Sequence, residues 1–264
     1  MSENYQEILT SLVREAGKIV LSAHTRNAEG VIEKEGNANF VTVYDVKTQE
    51  FLINGIKNAI PNAVFMAEEQ ENDASVLMEE RCFIIDPIDG TTNFIRDCKH
   101  SCISVAMVER GITVFGAVYD PYLDELFCAQ RGKGAFLNGR KISVSETPFD
   151  KAICGYGTAP YYRDTLGDKT FEVCKKLFMS CADVRRCGSA ALDLAYIAAG
   201  RYDIFFECRL SPWDYAAGAL LIEEAGGRIT DMSGAPLLLD APRSVMASSS
   251  KLYAELYRTV NGEN

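Results

Sequence analysis

The stretch Ile84-Ile85-Asp86-Pro87-Ile88-Asp89-Gly90-Thr91-Thr92-Asn93-Phe94 runs an apolar strand straight into two carboxylates. The strand delivers Asp86 at its end, Pro87 fixes a turn, and Asp89 returns three residues later. Gly90 permits close backbone approach, and Thr91-Thr92 suits the start of a helix. The implied geometry is a pair of carboxylates beside free backbone amides. Carboxylates collect hard cations such as magnesium, and helix-start amides take phosphate oxygens. On this stretch alone, an acidic turn with an ordinary helix cap accounts for the pattern equally well.

Working outward, residues 64–67 and 82–85 read as buried strands, each ending in acids. Upstream, Tyr5, Ile8, Leu9, Leu12, Val13, Ala16, Ile19, Val20 and Ala23 recur at helical spacing, and a second helix is predicted over 46–60, stopped by Pro61. Downstream, alternation predicts strands at 104–108, 113–119 and 125–130. The Asn138-Gly139 pair marks a hairpin turn before 141–144. After about residue 150 the rhythm becomes strand–helix alternation. Helices are predicted at 171–178, 189–199, 213–225 and 251–260, and strands at 183–186, 203–207, 227–231 and 244–247. The expectation is an α+β N-terminal half over 1–148, carrying most of the acidic site, and an α/β C-terminal half over 149–264, tightly coupled into one functional unit.

Composition narrows the chemistry. The 264 residues carry a net charge of −10, which argues against a nucleic-acid-binding face. With only two histidines, His24 and His100, metal binding must rest on carboxylates. Nine cysteines without a CxxC pair point to reduced thiols in a cytoplasmic protein, not to a disulfide framework. The N-terminus is polar and acidic, unlike a signal peptide, and no apolar run is long enough to cross a bilayer. An acidic protein that binds a phosphate needs local positive charge, which metal ions supply.

Two further acidic sites share the pattern. Glu68-Glu69 follows a strand, and Asp214 in Ser211-Pro212-Trp213-Asp214 stands at a helix start. Each alone reads equally as a solvated loop or as a charge favoured by the helix dipole. Three such sites on an apolar framework suggest convergence on one cleft.

Glu68-Glu69, Asp86 through Phe94, and Trp213-Asp214-Tyr215-Ala216-Ala217-Gly218, in that order and spacing, resemble the signature of the inositol monophosphatases. Val41-Thr42-Val43-Tyr44-Asp45 and Gly188-Ser189-Ala190-Ala191-Leu192-Asp193-Leu194-Ala195 extend the resemblance over nearly the whole chain. It implies a layered αβαβα sandwich, magnesium dependence with two to three ions per site, lithium sensitivity and a homodimer. It further implies that Glu68, Asp86 and the Ile88 carbonyl hold one ion. Asp86, Asp89 and Asp214 would hold a second, and Glu68 would support a weaker third. Thr91, hydrogen-bonded to Asp45 and assisted by Glu68, would orient the attacking water. Gly90 and Thr91 amides would grip phosphate. Gly188, Ser189, Ala190 and Glu207, with Asp89 and Asp214, would contact substrate. Lys34-Glu35-Gly36-Asn37-Ala38-Asn39 matches a loop near the metals, though a plain hairpin tip explains it as well.

The resulting expectation is metal-activated hydrolysis of a phosphate monoester, with myo-inositol monophosphate leading. Fructose bisphosphate, histidinol phosphate and nucleotide 3′-phosphates stay open, because relatives with the same metal core hydrolyse them. Cys208-Arg209-Leu210-Ser211-Pro212 is where that choice falls. Arg209 there could pair with a second phosphate, cap a helix or reach a dimer partner. Asp183-Val184-Arg185-Arg186 could bind a phosphate group or a partner, or be a strand edge with solvated arginines. Cys98 and His100 make no catalytic dyad by proximity in sequence alone. The rival reading from another class is a regulatory binding protein on a phosphatase fold. The intact set Glu68, Asp86, Asp89, Thr91 and Asp214 weighs against that as the sole role.

Overall fold

The computed structural model describes residues 3–23, 31–33 and 40–262, so His24 and the loop at 34–39 lie outside the described residues. Helix α1 spans Glu3–Leu21 and presents Leu9, Val13, Ala16 and Val20 inward, as the helical spacing predicts. A short antiparallel hairpin, β1 (Val31–Glu33) and β2 (Phe40–Thr42), leads into α2 (Val43–Ala59). Thr42 caps α2, accepting from the Tyr44 and Asp45 amides, which is why the helix begins before residue 46.

A seven-stranded sheet follows: β3 (Val64–Ala67), β4 (Cys82–Asp89), β5 (Cys102–Glu109), β6 (Ile112–Asp120), β7 (Glu125–Gln130), β8 (Gly134–Leu137) and β9 (Arg140–Ile142). The strands lie in chain order, with β3 and β4 parallel and every other pair antiparallel. The one-turn helix α3 (Thr91–Ile95) sits between β4 and β5. A second sheet has the order β11-β10-β12-β14-β13, from β10 (Ile153–Tyr156), β11 (Asp183–Arg185), β12 (Ile204–Leu210), β13 (Gly227–Thr230) and β14 (Arg243–Ser249). Helices α4 (Arg163–Ser180), α5 (Ala190–Ala198), α6 (Pro212–Glu224) and α7 (Tyr253–Asn261) complete the chain.

Alternation along the strands sorts these elements into layers. In β4, Phe83 and Ile85 pack with α1 and α2, while Cys82 and Ile84 face α5 and α6. In β12, Phe205 joins that same middle cluster, whereas Ile204 and Phe206 turn to α4 and α7. The order is therefore helices, sheet, helices, sheet, helices: an αβαβα sandwich with α5 and α6 as its central layer. Because both sheets are covered on both faces, their strands read as nearly continuous apolar runs.

Four strands and part of a helix differ from the sequence expectation. Residues 31–33 and 40–42 form β1 and β2, 134–137 form β8 and 153–156 form β10, none of which the pattern announced. Helix α4 starts at Arg163 instead of 171, because its first turns are polar and exposed and carry no apolar period.

Candidate active site

The C-terminal ends of β3 and β4 and the N-terminal ends of α3, α5 and α6 meet at one cleft of about 460 Å³. Glu68 is set by the turn after β3. Its amide donates to the Ile85 carbonyl at 3.1 Å, and the Glu69 amide donates to the Gln49 side chain at 3.0 Å. Asn72 pins that strand end by bonding both the amide and the carbonyl of Ala67. Asp86 closes its own turn, accepting from the Ile88 amide at 3.0 Å. Asp89 is held across the molecule: its Oδ2 accepts from the Ser189 hydroxyl at 2.5 Å and the Ala191 amide at 2.7 Å. That contact locks the end of β4 to the start of α5. Asp214 accepts from the Ser211 amide at 2.6 Å in the first turn of α6.

Asp86, Asp89 and Asp214 each offer an oxygen within 4.8 Å of the others. Burial pushes all three carboxyls up. The Glu68, Asp89 and Asp214 charges raise Asp86 further, Glu68 also hydrogen-bonds it, and Asp89 and Glu68 do the same to Asp214 by repulsion. Asp89 rises less freely because Ser189 and the α5 amides favour its charged form. Clustered like charges with few neutralising donors make a cavity suited to a hard divalent cation, and the oxygen-only donor set fits magnesium.

Gly90 precedes α3 with φ +90°, and a Cβ there would lie 3.1 Å from the carbonyls of Gly188 and His100. Only glycine lets this corner approach the facing loop while leaving the first amides of α3 open. Ile88, Gly90 and Thr91 line the cleft, as do Gly188, Ser189 and Ala190 across from them. Glu207 projects from β12 into the same cleft, and burial pushes its carboxyl up to about 7. Its Oε1 accepts from the Ala159 amide at 2.9 Å.

The expected Thr91–Asp45 hydrogen bond is not made. Thr91 donates to the Ile88 carbonyl at 3.2 Å, while Asp45 Oδ2 accepts from the amide and hydroxyl of Thr42 as the third residue of the α2 capping box. Asp45 does not line the cleft, and its other oxygen, Oδ1, is buried without a partner. Burial pushes its carboxyl up to about 6, with Glu69 adding to the rise.

The sequence left the far wall unassigned. Tyr161 lines the cleft with the acidic cluster: the residue is 52% exposed, but burial and the charges of Glu68, Asp214, Asp89 and Asp86 push its hydroxyl up to about 12. Tyr162 lies under the Arg209 guanidinium, 4.4 Å from carbon to ring centroid, so Arg209 stacks along the cleft wall and caps no helix. Arg186 also reaches the cleft and donates to Thr158 at 3.2 Å. The tyrosines sit in the connector between β10 and α4, over which no helix, strand or motif was predicted.

A layered sandwich with a carboxylate-centred cleft between its sheets defines the structural class. The inositol monophosphatase family model matches residues 1–263, and the chain belongs to that family. It is 39% identical over 228 residues to the Nus factor SuhB of Escherichia coli (strain K12), covering 86% of this chain and 85% of that one. The extragenic suppressor protein suhB of Bartonella henselae superposes with a TM-score of 0.91 at 31% identity, covering 98% of each chain. An IMPase of Thermotoga maritima superposes with a TM-score of 0.87 at 33% identity over 100% of this chain and 98% of that chain. No helix among the described residues is long and apolar enough to cross a membrane.

Proposed function

We propose that this chain is a cytoplasmic, magnesium-dependent phosphoric monoester hydrolase acting on a small polyol phosphate, with myo-inositol monophosphate as its first substrate. The observation that carries the reading is the convergence of Asp86, Asp89 and Asp214 within 4.8 Å beside the open amides of α3. Asp86, Glu68 and the Ile88 carbonyl would hold one ion, and Asp86, Asp89 and Asp214 a second. The chemistry such ions supply when bound is neutralisation of the phosphate and in-line placement of attacking and leaving oxygens.

The protein's own groups do the rest. The Gly90 and Thr91 amides, at the start of α3 on the cleft wall, would donate to phosphate oxygens. The Thr91 hydroxyl spends its proton on the Ile88 carbonyl, so its oxygen remains an acceptor that can align the incoming water. Glu207 accepts a substrate hydroxyl, and the loop at 188–190 lies on the opposite side. Residues 1–148 and 149–264 act as one unit because both supply the cleft, and a homodimer is the assembly we assign.

The test is phosphate release from a panel of monoesters, with and without magnesium. Magnesium should activate, excess chelator should abolish turnover, and Asp89→Asn should remove it while the fold survives. Full activity in chelator would sink the reading. A second reading has one observation behind it: the Escherichia coli relative is named a Nus factor. A regulatory partner-binding role alongside catalysis is the form it takes, and Asp89→Asn separates the two. Loss of a cellular phenotype with that variant would assign the phenotype to catalysis, and its retention would assign it to binding.

A further inference from the structure

At the edge of the cleft, which Asp193 also lines, His100, Cys187 and Asp193 bring one nitrogen, one sulfur and one carboxylate oxygen within 4.8 Å of one another. They come from three segments: the approach to β5, the loop after β11, and α5. Asp193 is 1% exposed, and its Oδ1 has no hydrogen-bond partner. His100 Nε2 is likewise buried and unpartnered. A buried carboxylate without a partner is costly, and buried charges are ordinarily paired or bound to metal. Two clustered residues that each bury an unsatisfied atom beside a thiol therefore call for a common occupant.

The surroundings favour a fixed arrangement. Asn93 donates to the carbonyls of both His100 and Cys187, each at 2.8 Å, clipping the two ligand-bearing segments together. The Tyr202 hydroxyl lies 3.1 Å from the Cys187 sulfur, the position of an outer partner that orients a ligand. Mixed nitrogen, sulfur and oxygen donors at this spacing suit a tetrahedral site, whereas magnesium prefers oxygen alone.

We propose that His100, Cys187 and Asp193 form a second metal site, selective for zinc, that ties the loop at 186–190 to the start of β5. On binding, the Cys187 thiol gives its proton to solvent and the thiolate ligates. The fourth position is left for water. The three donors share no residue with the Asp86, Asp89 and Asp214 cluster, although Asp193 lines the same cleft, and the proposal does not depend on the phosphatase reading.

Cobalt(II), the spectroscopic surrogate for zinc, tests this when titrated into magnesium-saturated full-length protein. One equivalent should produce a thiolate-to-cobalt charge-transfer band and the visible bands of tetrahedral cobalt, and one equivalent of zinc should bleach them. Cys187→Ser and His100→Gln, shown folded by circular dichroism, should lose the charge-transfer band and the tetrahedral spectrum respectively. Tyr202→Phe should weaken zinc binding roughly 10- to 100-fold. Cys102→Ala is the decisive control, because Cys102 lies 3.8 Å from Asp89 beside the acidic cluster. The band should survive in that variant. No thiolate band in the wild type, a band that persists in Cys187→Ser, or a band lost in folded Cys102→Ala would overturn the proposal. The last result would place the cobalt at the acidic cluster.

Discussion

Glu207 occupies the middle of a buried strand, where a charged side chain is tolerated only if something meets it. The Ala159 amide satisfies one oxygen, and the other is left for a ligand. A charged acceptor contributes about 1.5–3 kcal/mol per hydrogen bond from a hydroxyl. Glu207→Gln should therefore weaken use of inositol monophosphate by roughly tenfold or more, at 1.4 kcal/mol per decade. An aryl phosphate, which lacks the hydroxyls, should be hydrolysed almost as before; equal loss on both substrates would make Glu207 a structural support. The same residue sets a pH signature. Unfolded, its carboxyl titrates near 4.5, whereas burial holds it to about 7 in the fold. The folded state thus binds more protons between those values, and stability falls as pH rises through that window. Metal-free Glu207→Gln should gain on the wild type across it, by at most about 3 kcal/mol, as read by urea melts at several pH values. At this scale the sequence was informative wherever an acid ended an apolar strand or opened a helix, as Glu68, Asp86, Asp89 and Asp214 do. It misjudged Asp45, because a carboxylate three residues into α2 is drawn to its own cap before it can reach a distant threonine.

The connector from β10 to α4 shows how elements complete what single residues begin. A Cβ on Gly157 would lie 1.9 Å from the Glu207 carboxylate, so this glycine exists to let the strand end pass over that side chain. Gly157→Ala should push Glu207 or the connector aside, at a stability cost of about 1–3 kcal/mol. We expect KM for the polyol substrate to rise with little change in aryl phosphate turnover. Unchanged KM would mean the connector yields without moving Glu207. This part of the fold was the least legible in sequence. Strand β10 is four residues long, flanked on both sides by parallel partners, and contains a glycine, so it shows neither alternation nor a long apolar run. By contrast β5, β6 and β7 declared themselves through length and long, largely apolar runs, and α6 through its capped start and its Gly226-Gly227 stop. Tyr161 and Tyr162 went unread because their role comes from where the connector lands, which no local pattern encodes.

Across the whole molecule, the sandwich places an acidic cluster where no single layer could. The seven-stranded sheet supplies Glu68, Asp86 and Asp89, the central helices supply Asp214 and the groups that hold Asp89, and the second sheet supplies Glu207. The layers are cemented by an apolar middle cluster that includes Leu192, Phe205, Tyr215 and Leu221, all fully buried. That stability tolerates a site working against the fold, since burial and mutual repulsion push the carboxyls of Asp86, Asp89 and Asp214 up. Without metal, ionised carboxylates at neutral pH destabilise the folded state, and a bound cation reverses the effect. At magnesium about 100-fold above its Kd, linkage adds about 2.7 kcal/mol to stability. For a chain near this size, each kcal/mol moves Tm by about 2–4 °C, so the wild type should gain roughly 5–10 °C. Asp214→Asn keeps the shape and can still accept from the Ser211 amide, but it removes one charge from the cluster. In chelator it should melt at or above the wild-type temperature, and on adding magnesium it should gain much less. The two melting curves should therefore cross in order as magnesium rises. A variant that melts lower than the wild type in chelator would mean that Asp214 stabilises the fold through its cap more than its repulsion opposes it.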